Sequence, residues 1–190
     1  IDSPATPTRP ALPGSSSARP RTVTYMDGKW RYIVGELPLI GDPAAEHMIV
    51  KCFDYTCETC REMHHELERV LQLYPQKIAI ILAPTPLHRS CIPFVAAGVP
   101  DHRNACQLAR LGLAVWRAKP AAFAAFHREL FRRQPHLTAA EARDEAVRLV
   151  GPIAFEQAEQ DPWIAHVLRQ NTEVYRDLRR MGPQMPKLLL

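Results

Sequence analysis

The chain has 190 residues, of which 46% are hydrophobic and 23% charged, and a net charge of +4. That is about one domain plus an appendage with ordinary globular composition, which excludes wholesale disorder, and no stretch reaches the ~18 apolar residues a membrane-spanning helix needs. The basic excess is mild and spread out. Arg128, Arg132 and Arg133 read as the solvated face of an amphipathic helix, so no nucleic-acid partner is expected.

Residues 1–20 carry Pro4, Pro7, Pro10, Pro13 and Pro20 among Ser, Ala and Thr, and are expected to form an extended linker. The chain opens at Ile1 without an initiator methionine, so a signal peptide or membrane anchor is expected upstream. Val23–Met26 and Lys29–Val34 flank Asp27-Gly28, which predicts a hairpin with a two-residue turn. Gly41-Asp42-Pro43 marks a turn before His47–Phe53, an apolar run that reads as a buried central strand.

Glu58–Leu73 has helical periodicity, with Met63, Leu67, Val70 and Leu71 as the expected apolar face. Ile78–Leu82 then reads as a second buried strand, which completes a βαβ unit. From His102 to Met181 the pattern is helical throughout. Pro120 opens one helix, Thr138 and Glu141 form a capping box for another, and Asp161-Pro162 starts the last, which should run to Gly182-Pro183. Met185-Pro186 and an apolar strand end the sequence.

Five cysteines are too few for a disulfide-built miniprotein, and the odd number leaves at least one thiol unpaired within the chain. Cys57-Glu58-Thr59-Cys60 places two of them between a strand and a helix. Helix N-termini stabilise anions, so a thiolate is favoured at Cys57, and Cys60 lies one turn away, able to close a disulfide. A metal site built from Cys57, Cys60 and His64 is the competing chemistry, although no second ligand pair of zinc spacing is present. His64 and His65 themselves are expected on the helix surface. Cys91 and Cys106 would close a loop of about 15 residues, as a structural bridge or as a second redox pair. Cys52, on the central strand, reads as a buried inert thiol.

The segment Phe53-Asp54-Tyr55-Thr56-Cys57-Glu58-Thr59-Cys60-Arg61 resembles the active-site segment of thioredoxin-fold thiol-disulfide oxidoreductases. The lead-in Leu37–Pro43, the helical insertion and the late Met185-Pro186 resemble the DsbA-like branch. The resemblance implies an α/β, thioredoxin-like fold with an inserted all-helical subdomain and an N-terminal β-hairpin. Residues 21–190 would be one domain: hairpin 21–35, βαβ core 36–93, helical insertion 94–182, and a cis-proline turn and strand 183–190.

It further implies catalysis by Cys57 and Cys60 and substrate binding by Met185 and Pro186, with no cofactor. Glu58, Thr59 and Lys51 would tune the redox pair. Partners would be protein or peptide thiols and disulfides and a recycling redox protein, in the periplasm or another extracytoplasmic space, with the linker as a tether. A non-catalytic thioredoxin-fold binding module is the alternative.

The sequence departs from the family at several points. Lys51 stands where these enzymes often bury an acid, and either favours the thiolate or snorkels to the surface. Glu58-Thr59 lies between the cysteines, and a like-charge effect of Glu58 would keep the Cys57 pKa nearer about 7 than ~3.5. The sequence stops just inside the strand after Pro186, where the family fold continues with another strand and a helix. A longer precursor is therefore expected, or else the hairpin covers the missing area.

Overall fold

The computed structural model describes residues 20–95 and 102–190. The expected linker therefore lies, up to residue 19, outside the described residues. The elements in chain order are β1 (Thr22–Tyr25), β2 (Trp30–Ile33), β3 (Leu39–Gly41), β4 (His47–Phe53), α1 (Glu58–Leu73) and β5 (Ile78–Pro84). They continue with α2 (Ala105–Ala118), α3 (Pro120–Arg132), α4 (Ala139–Val150), α5 (Pro152–Glu159), α6 (Pro162–Leu178) and β6 (Lys187–Leu189). A single 3₁₀ turn, Arg179–Met181, closes α6 ahead of the expected end at Gly182. Among the described residues of 102–181 there is no strand.

The main sheet has the order β3-β5-β4-β6, with β4 and β5 parallel and the outer strands antiparallel. The two central strands are the continuous apolar runs, as expected for strands covered on both faces. Alternation along β4 sends Lys51 and Phe53 to the face that meets Phe131 of α3. Cys52 points the other way, wholly buried, and burial pushes its thiol up to about 12. At Gly41 the chain crosses β5 so closely that a Cβ would sit 2.9 Å from the Ala79 Cα, at a φ of +102°.

The hairpin forms a separate two-stranded sheet and does not extend the main one. It is held by Arg21, whose guanidinium donates to the Ala45 carbonyl at 2.6 Å, and by the hydroxyl of Tyr25 donating to the Met48 carbonyl. Its turn differs from expectation. Asp27 and Gly28 have positive φ as predicted, but Met26 does too (53°), so the strands stop at Tyr25 and Trp30.

The helical insertion follows its sequence signals. Thr138 caps α4 in a complete capping box, and the Asp161 side chain accepts from Trp163 N to cap α6. The insertion is fastened to the βαβ core at Gln134, between α3 and α4. Its side-chain amide donates to the Tyr55 carbonyl at 2.6 Å, and its own carbonyl accepts from Arg61 Nη1 at 2.9 Å. These two bonds grip the chain on either side of the Cys57–Cys60 turn. Arg128, Arg132 and Arg133 pair with Glu68, Glu129 and Glu141 on the surface.

Candidate active site

The β4–α1 junction delivers Cys57 as the N-cap of α1, with extended backbone (φ −86°, ψ 122°). The helix begins here because Asp54 turns the chain. Its carboxylate accepts from Thr56 N at 2.6 Å and from Thr56 Oγ1 at 2.7 Å, an Asx turn. The other Asp54 oxygen accepts from Leu87 N, and His102 Nδ1 lies 3.5 Å from it and 2.5 Å from Thr56 Oγ1. Burial pushes the Asp54 carboxyl up, opposed by those hydrogen bonds and by His102.

The two sulfurs are in different environments. Cys57 retains 9% exposure while Cys60 has none. Interaction with the Cys60 thiol lowers the Cys57 pKa to about 6 against the penalty of burial, helped by the Thr59 hydroxyl and the Cys60 N–H and opposed by Asp54. Cys60 is driven the other way, first by burial and then by its interactions with Cys57. The Asp54 N–H donates to the Cys60 sulfur at 3.5 Å. Both are free thiols in this structure. Such an asymmetric pair suits sequential chemistry: one readily ionised sulfur that keeps some access to solvent and one fully buried sulfur held in reserve.

The late proline turn arrives beside them. Met185–Pro186 is cis, and Thr59 Oγ1 donates to the Met185 carbonyl at 2.8 Å while lying 3.1 Å from the Cys57 sulfur. The Tyr175 hydroxyl supports the turn by donating to the Pro183 carbonyl at 3.1 Å. A second cis bond, Gln134–Pro135, was not foreseen from the sequence.

The other sequence candidates fall as follows. Glu58 faces solvent and is 3.4 Å from Arg61 Nη2; the negative charge opposing the Cys57 thiolate comes from Asp54. Lys51 does not snorkel: it is 1% exposed, with Nζ donating to the Cys60 carbonyl at 3.4 Å. His64 corrects the surface expectation. It is buried and stacks on Phe131 at 4.7 Å, because Cys60, His64 and Leu67 are the stripe of α1 that faces the core. His65 stays half-exposed.

Cys91 and Cys106 are joined by a disulfide that ties the loop after β5 to the start of α2. Asp54, His102 and Gln134 were not singled out from sequence. Asp54-x-Thr56 carries a local Asx signal, whereas His102 and Gln134 reach the site only through the tertiary fold.

The metal alternative finds no support in the geometry. Among the described residues the one group with donor atoms near enough to share an ion is His64, His65 and Glu68, within 4.8 Å. Cys57 and Cys60 are not in it. Arg128 Nε already occupies Glu68 at 2.8 Å, and Lys51 lines the same cleft, so positive charge opposes a cation there.

A four-stranded sheet with a C-x-x-C at the first turn of its central helix, a cis-proline beside it and a helical insertion is the architecture of the DsbA-like thioredoxin fold. The family model described as Thioredoxin matches residues 34–175, and the chain belongs to that family. ScsC of Proteus mirabilis in a compact conformation is similar in structure, with a TM-score of 0.61 and 24% identity, over 80% of this chain and 62% of that one. The chain thus spans less than two thirds of that protein's length.

A periplasmic thioredoxin-like protein from Salmonella enterica serovar Typhimurium is 25% identical with a TM-score of 0.59, over 80% of this chain and 75% of that one. The thiol-disulfide exchange protein alpha-DsbA2 of Wolbachia pipientis has a TM-score of 0.63 at 18% identity, over 80% of this chain and 74% of that one. No curated protein matches the sequence.

Proposed function

We propose that the protein is an extracytoplasmic thiol-disulfide oxidoreductase that exchanges disulfides with protein or peptide substrates through Cys57 and Cys60. The observation that carries this reading is the placing of the pair: Cys57 caps α1 beside the cis Met185–Pro186 turn, with its pKa lowered to about 6, and Cys60 is wholly buried one turn on. The Cys57 thiolate attacks one sulfur of a substrate disulfide and the other sulfur leaves as thiolate. Cys60 then attacks Cys57, which releases the second substrate thiolate and forms the Cys57–Cys60 disulfide. Two electrons pass to the substrate, and substrate oxidation is the same sequence reversed.

Met185 and Pro186 present backbone beside Cys57 for an extended substrate segment, with Thr59 fixing the Met185 carbonyl. Thr59 and Lys51 tune the pair, and Glu58 only weakly, since its charge is solvated. The Cys91–Cys106 disulfide is structural, and it accords with an oxidising compartment, as does the periplasmic relative from Salmonella. Among the described residues no helix is long and apolar enough to cross a membrane.

The test is disulfide reduction of insulin and oxidation of a model dithiol peptide. Both activities are expected, and both should vanish in Cys57→Ala. A Cys57→Ala protein as active as the parent would refute the assignment, and a folded parent inactive in both assays would favour a binding module.

A further inference from the structure

Cys60 must gain or lose a proton at every turnover, yet it has no contact with solvent. Burial raises the cost of its thiolate. Asp54 is the nearest acid, but both its carboxylate oxygens are committed to Thr56 and Leu87, with His102 alongside. The other titratable group held against Cys60 is Lys51, through the Cys60 backbone. Its Nζ reaches the Cys60 carbonyl and lies over the rings of Phe53 and Phe131, at 5.4 and 5.2 Å. Among the described residues no carboxylate forms an ion pair with it.

Beside Lys51 lies a narrow, partly open cleft of about 20 Å³, room for about one water, lined by Lys51, His64, Glu68 and His127 together with Leu67 and Leu71. Two imidazole nitrogens, His64 Nε2 and His127 Nε2, are buried there without hydrogen-bond partners. His64 Nε2 is 3.5 Å from Glu68 Oε2 without bonding to it, and Glu68 is the residue that meets solvent and Arg128. Unpaired polar atoms aimed into a cleft are the sites where water is held.

We propose that Lys51 is the acid–base partner of Cys60, exchanging its proton directly or through one water, and that the proton reaches solvent along the His64–Glu68 cleft. This rests on Cys57 and Cys60 being the redox pair. In the reducing direction the neutral Lys51 amine takes the Cys60 thiol proton as the Cys60 sulfur attacks Cys57. In the oxidising direction the ammonium protonates the Cys60 thiolate released when a substrate thiolate attacks Cys57.

The surroundings favour an amine that changes state near neutrality. Burial lowers the Lys51 pKa to about 8, partly offset by Cys60, Cys57 and Glu68. The groups that face it are Cys57, Cys60, His64 and Glu68 from α1 and His127 and Arg128 from α3. The β3 and β5 side of the cleft is apolar (Ile40, Ile80, Leu82). Both histidines are held neutral by burial, His64 down to about 4, so near pH 7 they relay a proton without storing one.

The experiment isolates the Cys60 step. The oxidised protein is mixed with glutathione to form the Cys57–glutathione disulfide, and glutathione release by Cys60 is followed against pH. The parent rate should rise with pH and level off near pH 8. Lys51→Met should slow release at pH 7 by about a hundredfold, the usual scale for a general acid–base group, and leave a rate that climbs steadily with hydroxide. His64→Phe should slow release less, without moving the break in the profile. A Lys51→Met profile superimposable on the parent would overturn the proposal. So would a loss found in Asp54→Asn and absent from Lys51→Met. If Cys57→Ala leaves substrate turnover intact, it is the oxidoreductase reading that fails, whatever Lys51→Met does.

Discussion

Thr59 offers a single hydroxyl proton to two acceptors. With Cys57 protonated, Thr59 Oγ1 donates to the Met185 carbonyl at 2.8 Å and can only accept from the thiol 3.1 Å away. Once Cys57 ionises, the thiolate competes for that proton. A hydrogen bond to a charged group contributes about 1.5–3 kcal/mol, and the neutral bond surrendered at Met185 about 0.5–1.5 kcal/mol. The difference, about 1 kcal/mol, is under one pKa unit at ~1.4 kcal/mol per unit.

Thr59→Val keeps the shape and deletes the donor, so the Cys57 midpoint should rise from about 6 by about 0.5–1 unit on that scale. Thr59→Ser should stay near the parent. Thiolate absorbance and the pH dependence of alkylation both read the midpoint in the reduced protein. A Thr59→Val midpoint equal to or below the parent's would show that the hydroxyl remains on Met185 in both states. The same competition predicts that Thr59→Val weakens the dependence of substrate affinity on pH, because the Met185 carbonyl would no longer change partners.

Three further outcomes are expected. In the reduced protein the unfolded chain keeps the Lys51 proton up to pH 10.5 while the folded chain releases it near 8. Lys51→Met should therefore be the more stable at pH 7 by up to about 3 kcal/mol in urea melts, and that margin over the parent should shrink as pH rises from 8 to 10.5. Replacing Cys91 and Cys106 together by Ser should cost about 3 kcal/mol for a loop of this length, and should disturb the Leu87–Asp54 and His102–Thr56 contacts, detectable as a shifted Cys57 midpoint. At Gly112, where an added Cβ would sit 2.9 Å from the Tyr55 hydroxyl, Ala should destabilise by about 1–3 kcal/mol through overpacking, as thermal unfolding would show.

Local signals were strong where the chain satisfies its own backbone. The Thr138–Glu141 capping box, Asp161-Pro162 and the α1 limits Glu58–Leu73 were legible because propensity, capping and periodicity agree there. The C-x-x-C stood out because its chemistry depends on a strand-to-helix junction that the apolar run His47–Phe53 announces. What was not legible is set by tertiary contact. His64 reads as polar, yet it faces the core because α3 brings Phe131 and His127 against it. Lys51 gave no sign of its burial, since a lysine on a strand is compatible with either a surface or a core position. Met26 has left-handed backbone that no β-forming residue advertises, so the hairpin loop is longer than the Asp27-Gly28 pair alone suggests.

The central claim is that Cys57 and Cys60 are a reversible redox pair of moderate poise. The most direct measurement is equilibration of the purified protein in glutathione buffers of graded potential, with each cysteine state read by mass mapping after acid quench. The account predicts one two-electron transition confined to Cys57 and Cys60, at a potential between about −270 and −120 mV, while Cys91–Cys106 stays oxidised and Cys52 stays reduced throughout. A transition borne by Cys91 and Cys106 in place of Cys57 and Cys60, or no transition of Cys57 and Cys60 across that range, would contradict it.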